Sequence, residues 1–256
     1  MEIGISTLCT IGKTFKVIDE LLSLKIALLE VLDEWKDRLT KTRVKALNEL
    51  SASFPLKYTV HGPILDLNIA SSNPRMRSCA LNIIFESMSR AHEIGAKAYI
   101  LHPGLRTPLD NLVPGVNRSL NLYSLEKILN YGEKIGLRVA VENMPGNTSC
   151  LLQRAEEFSA LMDNGLPVYV ALDVGHANTT SQLDAFLTGV NDRIVHLHLH
   201  DNCGTDDEHK VIGEGTVDWD LVRAKVNRER VSAVVENNNL EDAKKSFMRA
   251  TQLFSS

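Results

Sequence analysis

Eight short aliphatic segments, each followed by a stretch with helical spacing, run the length of this 256-residue chain. The strands are predicted over residues 2–6, 26–30, 57–61, 97–102, 138–142, 168–173, from 194 through the run His196, His198 and His200, and over 232–236. Between them, Ile11, Phe15, Ile18, Leu21 and Leu22 fall on one helical face, and 33–50 is amphipathic. Further helices are expected over 74–94 with Pro74 in its first turn, 121–135, 153–162, 182–187, 219–226 capped by Asp218, and 240–253. The strands mostly lack a polar face, as parallel strands covered on both sides do. Strict β–α alternation at this length predicts a single-domain α/β protein spanning 1–256, a (β/α)8 TIM barrel. A doubly wound open sheet is the alternative, but no glycine-rich phosphate loop follows the first strand.

With 44% hydrophobic and 23% charged residues the chain has an ordinary globular composition. Its net charge of −4 supplies no general attraction to nucleic acid, although a local basic or metal-bearing cleft would still bind phosphate. Cys9, Cys79, Cys150 and Cys203 are scattered with no Cys-x-x-Cys pair, and reduced, mostly buried thiols are expected. No apolar run approaches the ~18 residues of a membrane span. The first strand starts almost at Met1, leaving no room for a signal peptide, so a cytoplasmic protein is expected.

The predicted strand ends carry the chemistry. The second strand ends in Glu30, the third in His61, the fourth in His102, the fifth in Glu142, the sixth in Asp173, the seventh at His198 and the eighth in Glu236. In a barrel these carboxyl ends converge on one face, where barrel enzymes act. Taken singly, His61 before Gly-Pro reads as a turn residue, Glu142 and Glu236 as ion-paired barrel residues, and Asp173 with His176 as a turn. Seven in series, all His, Asp or Glu, read instead as metal ligands. His92, within a helix, is expected to be structural, and His196 to lie one step deeper as a hydrogen-bond partner. Imidazole and carboxylate donors without thiolate suit Zn2+ and are compatible with Mn2+, Fe2+ or Co2+; Cys203 is a weak candidate.

Val139-Ala-Val-Glu142-Asn143, Leu172-Asp173-Val-Gly-His176, His198-Leu-His-Asp, Asp207-Glu-His209 and Gly213-Glu-Gly together resemble the endonuclease IV group of the xylose isomerase-like barrels, over essentially the whole chain. The resemblance implies up to three zinc ions. The first would be held by His61, His102 and Glu142. Glu142 would bridge to a second, completed by Asp173, His198 and Glu236, while His176, Asp207 and His209 would hold the third. It further implies hydrolysis of a DNA phosphodiester at abasic sites, with no membrane and no obligate protein partner. Four carboxylates around three divalent ions leave a formal charge of about +2, suited to a phosphodiester. Around one ion they leave about −2, suited to a neutral sugar, with Glu142 and Glu236 as acid and base for isomerisation or epimerisation of a sugar or sugar phosphate.

Three departures bear on the substrate. His200 stands where the group usually has Asn and is a candidate substrate contact. The loop after Glu30 is expected to be short, with helix beginning by about Asp33. The aromatic-Leu pair expected after the third-strand His is Ile64-Leu65, readable as a base-unstacking wedge or as core. Arg75, Arg77 and Arg106 are candidate phosphate contacts, whereas Lys36, Arg38, Lys41, Arg43 and Lys45 read as one solvated helix face.

Overall fold

Residues 1–255 are described by the computed structural model. The strands are β1 (Glu2–Ser6), β2 (Leu28–Leu32), β3 (Lys57–His61), β4 (Tyr99–Leu101), β5 (Val139–Glu142), β6 (Tyr169–Asp173), β7 (Ile194–Leu199) and β8 (Ser232–Val235). They pair in parallel in chain order, and β1 pairs with β8, closing a barrel. The helices are α1 (Thr14–Ser23), α2 (Lys41–Ser53), α3 (Pro74–Glu93), α4 (Val116–Ile135), α5 (Ala155–Asp163), α6 (Val174–Thr179), α7 (Leu183–Gly189), α8 (Trp219–Lys225) and α9 (Leu240–Ser255). None is long and apolar enough to cross a membrane.

The main core lies between the sheet and the helices, where Leu29, Val31, Val60, Tyr99, Leu101, Val139, Val141, Val170 and Leu172 meet Leu47, Ile84, Met88, Leu125, Ile128 and Phe158. Side chains alternate along each strand, so the neighbours of these residues face the interior. There Ala98, Ile100, Ala140 and Ala171 form a separate apolar floor. Two residues further along their own chains stand His102, Glu142 and Asp173. Small floor residues leave the barrel mouth to polar side chains. Gly4 serves closure: a Cβ there would lie 2.1 Å from the Leu28 carbonyl oxygen, so β1 and β2 approach only without one.

Several expectations need correction. β2 starts and ends two residues later than expected, so Glu30 is not a strand end but sits one level down, opposite Ser6 and Thr59. Residues 33–40 form a loop with a short 3-10 turn, and helix begins only at Lys41. The loop is held by Asp33, which accepts from Leu39 N–H, and by Glu34, whose Oε2 accepts from Ile64 N–H at 2.8 Å and Leu65 N–H at 2.9 Å. Lys36 and Arg38 therefore lie on a loop. On the helix Lys41 and Lys45 are exposed while Arg43, two residues from each, turns over the Phe15 ring, so the five do not form one face. Ile11 precedes α1 and is exposed. The helix α6 was not expected. It starts because Asp173 caps it, accepting from His176 N–H at 2.7 Å. All four cysteines are free, but only Cys9 is buried, while Cys79 and Cys203 are exposed.

Candidate metal centre

The side chains at the barrel mouth fall into three contiguous groups in which one ligand atom per residue lies within 4.8 Å of the others: His61, His102 and Glu142; Glu142, Asp173, His198 and Glu236; and His176, His200, Asp207 and His209. A fourth such group, Glu30 with His196 and His198, lies beneath them.

In the first group His61 Nδ1 donates to the Gly62 carbonyl at 2.9 Å, which leaves a lone pair on Nε2. That Nε2 stands 3.2 Å from His102 Nε2 and 3.3 Å from Glu142 Oε2, and His102 Nε2 stands 2.9 Å from the same oxygen. Glu142 Oε2 is buried and has no aligned hydrogen-bond donor. Two imidazoles and an orphaned carboxylate oxygen forming a near-equilateral triangle fit a divalent cation at bond lengths of about 2.0–2.2 Å. His102 is 22% exposed, so this group opens to solvent.

Glu142 Oε1 belongs to the second group. It lies 3.0 Å from His198 Nδ1, with Glu236 Oε2 at 3.3 Å and Asp173 Oδ2 at 3.8 Å from the same nitrogen. On the opposite edge of the ring, His198 Nε2 lies 3.1 Å from Glu30 Oε1, an ion-pair distance without hydrogen-bond alignment. Glu30 Oε2 also accepts from Thr59 Oγ1 at 3.0 Å and lies 3.1 Å from His196 Nε2. Burial lowers the His196 pKa, and its Nδ1 lies 2.8 Å from Ser232 Oγ. His196 lies one level below the site, beside Glu30.

The third group is assembled by the segment after β7. Asp201 is fully buried. Its Oδ1 accepts from Asn202 N–H at 2.9 Å and Val217 N–H at 3.1 Å, and its Oδ2 from Gly213 N–H at 2.8 Å and Trp219 Nε1 at 2.9 Å. Asp201 and Lys210 exchange backbone hydrogen bonds, folding residues 202–209 back over the mouth. His176 Nε2 then lies 3.1 Å and His209 Nε2 3.2 Å from Asp207 Oδ2. Their Nδ1 atoms donate to the Asn143 carbonyl at 2.8 Å and the Glu236 carbonyl at 2.9 Å, so both Nε2 lone pairs point inward.

Without a cation, protons must bridge these lone pairs and carboxylates. Burial depresses His61, but the adjacent Glu142 carboxylate outweighs it and raises the pKa to about 9. Burial likewise opposes, and carboxylates overcome, in His176, raised to about 10, and His209, raised to about 9. For Glu142 and Glu236 burial acts upward, but the imidazoles, His198 foremost, hold both carboxyls low. A buried array of imidazole lone pairs facing ionised carboxylates is the donor chemistry of a divalent-metal site.

All nine expected ligand positions thus converge. The expected substrate contacts do not share one environment. His200 is fully buried, with Nε2 3.0 Å from Asp173 Oδ1 and 3.6 Å from Asp207 Oδ1. Arg77 donates to the Ser71 carbonyl at 2.6 Å and lies over Tyr123. Arg75 and Arg106 are exposed. Leu65 is 56% exposed, so core packing does not account for it. Trp35, which carries no ligand-type signal in the sequence, is 60% exposed and lines a cavity of about 550 Å3 with Pro63 and Leu65. Its signal was an aromatic residue in a segment read as helix. Cys203 lies against Lys210 Nζ at 2.9 Å and belongs to none of the groups.

A closed parallel barrel with clustered imidazoles and carboxylates at the carboxyl ends of its strands defines a (β/α)8 protein with donor groups that could hold metal ions. The chain belongs to the xylose isomerase-like TIM barrel family, which residues 19–248 match. An uncharacterized protein of Methanocaldococcus jannaschii is 30% identical over 196 residues, covering 76% of each chain. A protein of Mycoplasma capricolum named "Probable endonuclease 4" is 26% identical, covering 70% of this chain and 67% of that protein. A solved structure described as a D-tagatose 3-epimerase-like protein superposes with a TM-score of 0.93 at 27% identity, covering 100% of this chain and 97% of the other.

Proposed function

We infer that this chain is a metal-dependent phosphodiester hydrolase that cleaves DNA at abasic sites, with the whole chain acting as one domain and up to three zinc ions at the barrel mouth. The observation that carries this reading is the sharing of Glu142. Its Oε2 faces His61 and His102 while its Oε1 faces His198. A single-ion site has no use for His61, His102, Asp207 and His209 as a set. Divalent ions held here supply a water of lowered pKa and neutralise charge on the attacking and leaving oxygens of a phosphodiester.

The chain's own residues do the rest. Main-chain carbonyls of Gly62, Asn143 and Glu236 orient the imidazoles of His61, His176 and His209, and Glu30 orients His198 from below. Burial of Asp173, His198 and Glu236 keeps bulk water from the inner position, while partly exposed His102 marks the side open to substrate. Arg75 and Arg106 are the remaining candidates for phosphate contact; the arginine of the set already committed elsewhere is Arg77. Leu65 and Trp35 present exposed apolar surface that suits unstacked bases. The relative named as an endonuclease supports the same reading.

A second reading rests on the full-length likeness to the epimerase-like structure. One ion on Glu142, Asp173, His198 and Glu236 would leave the two glutamates to move a proton beside a sugar carbonyl. Elemental analysis of the purified chain, with nicking of an abasic duplex by wild type and Glu142→Gln, separates the two. About three ions and nicking lost in the variant support the hydrolase. One ion, no nicking and proton exchange into a ketose overturn it.

A further inference from the structure

We propose that His200 is a fourth protein ligand of the third metal position, closing it with His176, Asp207 and His209 so that the ion there braces the loop and takes no substrate. The inference rests on the multi-ion reading above. His200 Nε2 lies 3.6 Å from Asp207 Oδ1, while His176 and His209 Nε2 lie 3.1 and 3.2 Å from Asp207 Oδ2. Ligand atoms of a four-coordinate zinc at bond lengths near 2.0–2.1 Å stand roughly 3.3 Å apart. The His200 ring stacks on His209 with centroids 4.1 Å apart and 17° between planes, and one donor atom of each lies within 4.8 Å of donor atoms of His176 and Asp207.

The surroundings of His200 are built for this ring. Its Nδ1 points at the Asp201 carbonyl at 3.5 Å, a longer version of the carbonyl contact that turns Nε2 inward in His61, His176 and His209. Gly175 makes the space: a Cβ there would lie 2.1 Å from His200 Cε1. His200 is fully buried, so the ring has no route to substrate except through the other ligands. Three protein ligands leave a position open, whereas four fill a tetrahedron, as in structural sites. The first group, with three ligands and an exposed edge, is then the position that substrate reaches.

His200→Asn keeps a hydrogen-bond donor for Asp173 while removing the imidazole, and Asp207→Asn serves as a second variant that removes an undisputed member of the group. The probe is Co2+ alone, read by visible absorption and by the ion count retained against a graded chelator. Expected in wild type is an ion with the intense spectrum of four-coordinate Co2+ that disappears in Asp207→Asn, which separates it from any contribution of the four-donor group Glu142, Asp173, His198 and Glu236. Both variants should lose that spectral component and weaken retention of that ion tenfold or more. An unchanged spectrum and ion count in His200→Asn overturns the proposal and leaves His200 as a hydrogen-bond donor to Asp173. If His200→Asn does not fold, a wild-type spectrum without a four-coordinate component overturns it equally. Failure of abasic-site nicking with the cobalt results intact sinks the hydrolase reading and spares this one.

Discussion

Glu30 Oε1 lies 3.1 Å from His198 Nε2 inside the barrel, and neither side chain is exposed to solvent. A carboxylate on the outer nitrogen of a metal-binding imidazole sets which nitrogen keeps the proton and raises the basicity of the other. Glu30→Gln should therefore lower affinity for the central ion by about 10–100-fold while the chain still folds. Competition with a chromogenic chelator reads this directly, and unchanged affinity would remove Glu30 from the site.

Metal removal should make stability depend on pH in a defined sense. In the stripped protein His61, His209 and His176 have pKa values raised from 6.5 to about 9, about 9 and about 10. Their stabilisation is complete below about pH 6.5 and is lost as pH rises through 9–10. Glu236, lowered from 4.5 to about 2 by His198 against the upward effect of burial, stabilises above about pH 4.5 and ceases to as pH falls towards 2. Burial lowers the pKa of His102 and His196, which costs stability as pH falls below about 6.5. The melting temperature of the stripped protein should therefore be highest at about pH 6.5 and drop by several degrees by pH 9.5. Zinc should abolish the alkaline decline, because the cation replaces the protons.

The same shifts require that metal binding near pH 7 release protons, since His61, His176 and His209 bind as neutral imidazoles. Calorimetric titration in buffers of different ionisation enthalpy should give buffer-dependent heats. Heats independent of buffer would contradict the assignment.

Gly175→Ala sets two effects against each other. Alanine favours a helix over glycine by about 1 kcal/mol. The added Cβ would meet His200 Cε1 at 2.1 Å, and overpacking of this kind costs about 1–3 kcal/mol. The clash should win, with lower stability in urea and weaker retention of the third ion. Gly189→Ala, at a helical position with no atom within 4 Å, should be neutral or slightly stabilising.

Asp201→Asn tests the brace that brings Asp207 and His209 to the mouth. An amide replaces one of the two acceptor oxygens with a donor, leaving two N–H groups of the four without a partner. Each such loss at a charged acceptor is worth roughly 1.5–3 kcal/mol, so the loss should approach ~3 kcal/mol or more by denaturant unfolding. Proteolysis should cut first within residues 202–209, and resistance equal to wild type would show that the loop holds without Asp201.

Much of the site was legible because parallel strands buried on both faces read as aliphatic runs, and a polar residue closing each run has few structural uses. His61, His102, Glu142, Asp173, His198 and Glu236 were found that way. Glu30 was found on the right face at the wrong height. A two-residue error at β2 keeps the side chain pointing inward, because the period is two, but moves it by about 6.6 Å along the axis. That step separates the ion-facing layer from the support beneath it. The spacing of residues 33–40 is helix-compatible, but Asp33 and Glu34 hold them as a loop through contacts that no periodicity encodes.

Composition and spacing suffice for the order of strands and helices, the barrel, and the residue types gathered at its mouth, since these follow from alternation along the chain. His200 shows where that reach ends. Its neighbour Asp201 and its position after β7 say nothing of Gly175, which lies on a different β–α unit and clears the space its ring occupies. Whether that imidazole faces substrate, a carboxylate or an ion depends on distances across the barrel. Those distances exist only once eight strands have closed, because closure brings side chains from distant parts of the chain within bonding range.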